Sequence, residues 1–85
     1  MQNEIKVGPE SGGLSFQLDV SSRHWLVIVS SDFLDDQVGN QSTTVQRQEW
    51  VAANLSELVD AAKFKIKGVS HKVTIFDRVI VREIN

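Results

Sequence analysis

Cysteine is missing from this 85-residue chain. Its absence excludes disulfides, thiolate metal sites and cysteine nucleophiles. Small secreted domains commonly depend on disulfides, so the expected setting is a reducing one, the cytoplasm. Long apolar runs are missing as well. No stretch approaches the roughly 20 residues that span a bilayer, so no membrane association is expected. The first residues, Met1 to Lys6, lack the cationic run and apolar core of a signal peptide. Without a secretion signal, the glycosylation triplets Asn40-Gln41-Ser42 and Asn54-Leu55-Ser56 are read as chance matches. No nucleophile elbow is present, and the Gly8 to Gly13 loop lacks the lysine and following helix of a phosphate-binding loop.

What is present is an ordinary globular composition. The apolar fraction, 41%, is enough to exclude overall disorder. The length suits one domain, residues 1–85, with one modest core and little room for a deep enclosed site. Charge is unevenly laid out. Residues 1–62 carry nine acids and three bases, whereas residues 63–85 carry six bases and two acids. Such a split marks either a partner surface or ordinary helix-end chemistry.

Periodicity supplies the elements. Residues 4–7 read as a short edge strand, and residues 1–13 together as a frayed strand and loop, broken by Gly8, Pro9, Gly12 and Gly13. Residues 14–20 alternate strictly, with Leu14, Phe16, Leu18 and Val20 on one face, which predicts a half-buried antiparallel strand. Ser21 to Arg23 make a hairpin connection. Residues 24–29, apolar on both faces, read as a central strand. A short helix follows over 31–37, with Ser31 as its cap and Phe33, Leu34 and Val38 inward. Thr43 and Gln46 form a capping box ahead of one long amphipathic helix over 45–67. Its stripe is Val51, Leu55, Leu58, Ala62 and Ile66, and Gly68 is its C-cap. Residues 72–84 read as one long strand, bent at Asp77-Arg78. The expected fold is α+β, in the order β-β-β-α-α-β. A small, mostly antiparallel sheet of three or four strands carries a short and a long helix on one face.

With this order laid out, the chain resembles a family of short bacterial proteins known only as domain of unknown function 1488. The likeness rests on the strand Leu14-Ser15-Phe16-Gln17-Leu18, the passage from Ile28 through Asp36, the helix from Trp50 through Ala62, and Val73-Thr74-Ile75-Phe76. It covers residues 14–82 and departs from the family's alternation at Asp77-Arg78. The resemblance implies the fold, and it assigns no activity, cofactor or site residue.

Candidate chemistry is sparse. Asp32 and Asp36 sit one helical turn apart, but no further oxygen ligands follow at calcium-loop spacing, so helix-dipole complementarity explains them and no metal is expected. His24 and His71 lack an obvious nucleophile, although Asp19 lies where it would partner His24 across the hairpin. No catalytic residue and no cofactor is therefore assigned, and an enzyme is not expected. Lys63, Lys65, Lys67 and Lys72 cluster near a helix C-terminus, where cations are favoured. With an acidic pI and with Phe64 and Phe76 read as core, nucleic acid is not the expected partner. Trp50 falls beside the helical stripe. It either covers the rim of the core or stands exposed with Val45 as the anchor of a homodimer or partner surface. The candidate interaction surface is thus Trp50, Val45, Lys63, Lys67, Lys72, Arg78 and Arg82. The functional expectation is a non-enzymatic protein-binding or accessory module. The alternative is weak nucleic-acid or anionic-ligand binding through the bases of residues 63–82.

Overall fold

The computed structural model describes residues 5–8 and 12–84. Four strands form one antiparallel sheet in the order β1-β2-β3-β4: Lys6–Val7, Leu14–Val20, Arg23–Val29 and Ile80–Ile84. Three helices, α1 (Ser31–Gln37), α2 (Thr44–Ala53) and α3 (Leu55–Lys67), lie between β3 and β4 in the chain. Residues 1–4 and 9–11, which belong to the expected edge strand and loop, fall outside the described residues.

The alternation of β2 sets the two faces. Phe16 pairs with Val27, and Val27 with Val81, so these three side chains line up across the sheet. On that face Leu14, Phe16, Leu18 and Val20 meet Phe33 and Leu34 of α1, Val51 of α2, and Leu58 and Ala62 of α3 in a single buried cluster. Each large apolar side chain buried there contributes about 1.5–3 kcal/mol. The opposite face carries Gln17, Asp19, His24, Leu26 and Arg82, with Ile28 buried among its neighbours. The strand expected to be apolar on both sides is indeed central: β3 pairs with β2 on one side and β4 on the other.

Local signals explain the ends of most elements. Ser21 and Ser22 turn the β2–β3 hairpin with φ of 53° and 66°, the left-handed pair of a type I′ turn. Ser30, one residue ahead of the expected cap, accepts the Phe33 N–H and starts α1. Thr43 and Gln46 close the capping box of α2 in both directions. Gly68 ends α3 at φ 67°, where a side chain would be strained.

Two expectations need correction. The long helix over 45–67 is two helices, divided at Asn54. The Asn54 side-chain amide donates to the Trp50 carbonyl at 2.8 Å, and its backbone leaves helical geometry at φ −111°, ψ 17°. Asparagine competes for backbone partners in this way and disfavours helix interiors. The strand expected over 72–84 is only β4. Ahead of it, Ile75–Arg78 form a 3₁₀ turn, and residues 69–74 are irregular. Asp77 causes the change. Its Oδ2 accepts the Thr74 N–H at 2.6 Å, while the Thr74 hydroxyl accepts the Phe76 N–H at 3.2 Å. That capping box wraps the backbone into a turn despite the β-forming residues around it. The observed order is therefore β-β-β-α-α-α-β.

Candidate functional site

Two polar knots stand out, one between distant segments and one within the loop after α3. The first is Arg47, whose side chain is 8% exposed. It is the single Lys or Arg between Arg23 and Lys63 in the sequence, a signal that composition alone could have raised. From α2 its guanidinium reaches three separate segments. Nε donates to the Ser42 hydroxyl at 2.7 Å, and Nη1 to the Gly12 carbonyl at 2.8 Å and the Ser31 hydroxyl at 3.4 Å. Nη2 donates to Asp35 and to the Gly39 carbonyl. Every N–H of the fork thus has an acceptor, and the Asp35 carboxylate balances the charge. Gly12 is needed for close approach: a Cβ there would meet the Ser31 hydroxyl at 2.7 Å. A polar recess of about 360 Å³ opens beside Arg47 and is lined also by Asn40 and Thr44. A guanidinium already saturated and neutralised has nothing left for an anionic ligand, so this knot is architectural.

The second knot is His71, and sequence spacing gave no hint of it. Nε2 faces Asp77 Oδ1 at 2.6 Å, and Nδ1 faces the Val69 carbonyl at 3.1 Å. Both neighbours only accept, so the doubly protonated ring is the form that satisfies both contacts. The Asp77 carboxylate, aided by the Val69 carbonyl, accordingly raises the His71 pKa above the usual histidine value. In return His71, together with the Thr74 N–H, lowers the pKa of Asp77. Phe64 of α3 stacks on the imidazole at 4.5 Å between centroids. His24 and Asp19 do meet across the hairpin at 2.7 Å, but both side chains are more than half exposed on the open strand surface.

Around His71 the surface is unusually apolar. Phe64 is 38% exposed, Val69 49%, Val73 78% and Ile75 48%. These four, from α3, the following loop and the 3₁₀ turn, are among seven large apolar side chains exposed in the described residues. A shallow recess of about 210 Å³ lies between α3 and the segment that follows it, lined by Phe64 but not by Val69, Val73 or Ile75, with Ala61 and Phe76 beside Phe64. Glu57 and Asp60 stand on its α3 side, and His71 and Lys72 on the other. Phe64, expected in the core, is therefore a surface residue: its helical position points away from Leu58 and Ala62.

The remaining sequence candidates scatter. Trp50 is half-buried, edge-on to Phe33 at 5.6 Å and stacked on Phe76 at 6.2 Å. It closes the rim of its own core, while Val45 stands apart at 61% exposure. Lys63 and Lys67 are exposed on α3, and Lys72 on the loop. Arg78 is engaged, donating to Asp36 at 2.7 Å with its guanidinium 4.9 Å above the Phe33 ring. Arg82 pairs in register with Leu26, on the face of the sheet turned away from the helices. The six C-terminal bases are thus not one surface.

Among the described residues no group of three or more histidine, aspartate or glutamate side chains is placed to hold a metal ion. Among the same described residues, no helix is long and apolar enough to cross a membrane. No family model matches the chain, and no curated protein or solved structure is significantly similar to it.

Proposed function

We propose that the protein is a non-enzymatic protein-binding module that docks its partner on the surface formed by Phe64, Val69, Val73 and Ile75. One observation carries this reading: four large apolar side chains stand exposed within a span of only twelve residues. Clusters of that kind mark contact sites on small domains. The His71 clasp supports it, because it anchors the loop bearing Val69 and Val73 without any regular secondary structure. The chemistry fits too, since both buried or half-buried polar knots spend their hydrogen-bonding capacity inside the chain. A cytoplasmic setting and kinship with the bacterial family of unknown function 1488 belong to the same proposal, on the sequence features already described.

A second reading has its own observation. Lys63, Lys65, Lys67 and Lys72 are all exposed near the C-terminal end of α3, a layout suited to weak binding of an anionic ligand or nucleic acid. One experiment separates the two. Tagged wild type and Val73→Glu are used to capture partners from lysate, with and without nuclease, at low and high salt. The protein-binding reading expects a nuclease-resistant protein that the variant fails to hold. Recovery of nucleic acid alone, lost at high salt and unaffected by Val73→Glu, would replace it with the second reading.

A further inference from the structure

The outward stripe of α3 has a polarity of its own. Glu57, Asp60, Phe64 and Lys67 recur at steps of three, four and three, and all four are exposed, as is Lys63 beside them. Acids occupy the first half of this stripe and lysines the second, with Phe64 between Lys63 and Lys67. A helix so marked complements itself when it is reversed. Laid antiparallel across a two-fold axis near residue 62, each copy's Glu57 comes opposite the other's Lys67. Each Asp60 then comes beside the other's Lys63 and Phe64. The parallel arrangement would set acid on acid and lysine on lysine. Two-fold interfaces join the same patch on both copies, which is what a self-complementary stripe requires.

We infer that the partner bound at this surface is a second copy of the chain, with α3 packed antiparallel on α3. The inference rests on the protein-contact reading above and adds the identity of the partner. Phe64 of each copy supplies the apolar centre, and Val73 and Ile75, exposed on the adjoining segment, widen it. Paired aromatics at the middle with charges at the rim are the usual anatomy of a specific interface. A foreign partner would have to carry the same acid-then-base order in reverse, and this chain's own α3 already does.

Sedimentation over a range of concentrations tests it. Wild type is expected to reach twice its 9.5 kDa chain mass and to dissociate as salt rises. Two charge-reversed variants are then made, Glu57→Lys with Asp60→Lys, and Lys63→Glu with Lys67→Glu. Each alone is expected to be monomeric, because its stripe is of one sign. Mixed in equal amounts they should restore the dimer, a result that misfolding of either would not produce. A wild type that stays monomeric at every concentration overturns the inference, as does a dimer indifferent to both variants or a mixture that remains monomeric. A monomeric wild type whose nuclease-resistant partner is still lost with Val73→Glu would remove the second copy and leave the protein-contact reading standing. Loss of both results would remove both.

Discussion

Arg47 and His71 are both cations tied to a carboxylate and to backbone carbonyls, yet they do opposite work. Arg47 lies beneath the surface and joins Gly12, Ser31, Asp35, Gly39 and Ser42, residues from both sides of α1. His71 sits at the surface and joins neighbours within a few residues of itself. The first holds the fold, and the second shapes a loop. The difference follows from depth. A buried guanidinium is tolerable only when every donor is met, so it is kept wherever distant segments must be fixed together. An imidazole that keeps one-fifth of its surface in water can titrate, so it organises a small region at little cost to the rest.

Removing Arg47 is the strongest way to break the comparison. Arg47→Ala leaves Asp35 half-buried without its partner and the Gly12 carbonyl without its Arg47 donor. It is expected to cost about 3–5 kcal/mol, a large share of the roughly 5–15 kcal/mol available to a domain. Urea unfolding would measure the loss, and Arg47→Lys should recover only part, since an ammonium offers three donors in place of five. A cost under about 1 kcal/mol would mean that the knot is ornamental.

His71 should show its difference through pH. Its folded-state pKa lies above the ordinary histidine value of 6.5, so its contribution is full below that value and is lost as pH rises through the higher folded value. Asp77 lies below 3.8 in the folded state, so its contribution is full above that value and is lost as pH falls through the lower folded one. The clasp is therefore complete between these limits. His71→Gln should lower Tm in mildly acidic buffer, and the gap to wild type should close in alkaline buffer. A gap constant across pH would show that the ring acts by packing on Phe64 alone.

The hairpin turn, away from both knots, calibrates the scale. Ser22 holds φ 66° without being glycine. Ser22→Gly relieves that strain and should raise stability by about 0.5–1 kcal/mol in the same urea assay. It should leave the pH response of the clasp unchanged.

Much of the fold was legible in local pattern. The alternation of residues 14–20, the apolar run of 24–29, the capping box at Thr43 and the glycine stop at Gly68 all correspond to observed elements. Where pattern misled, a side chain had captured a backbone group: Asn54 divided the long helix, and Asp77 coiled the start of the expected strand. The candidate surface was less legible. Of its seven residues, Lys63, Lys67 and Lys72 lie on the α3 side of the molecule. Trp50 was taken up by Phe33 and Phe76, and Arg78 by Asp36. Phe64, placed in the core by its apolarity, is 38% exposed and lines the recess beside His71.

What the sequence determined by itself is whatever depends on neighbours along the chain: strand alternation, helix caps, turns, and the acid-then-lysine order of α3. What only the tertiary structure decided is which polar groups meet. Arg47 lies 35 residues from Gly12, and Asp36 lies 42 from Arg78. No periodicity encodes such encounters. They exist because burying the apolar faces of β2, α2 and α3 together brings distant segments side by side, and the buried Arg47 donors then find their acceptors there.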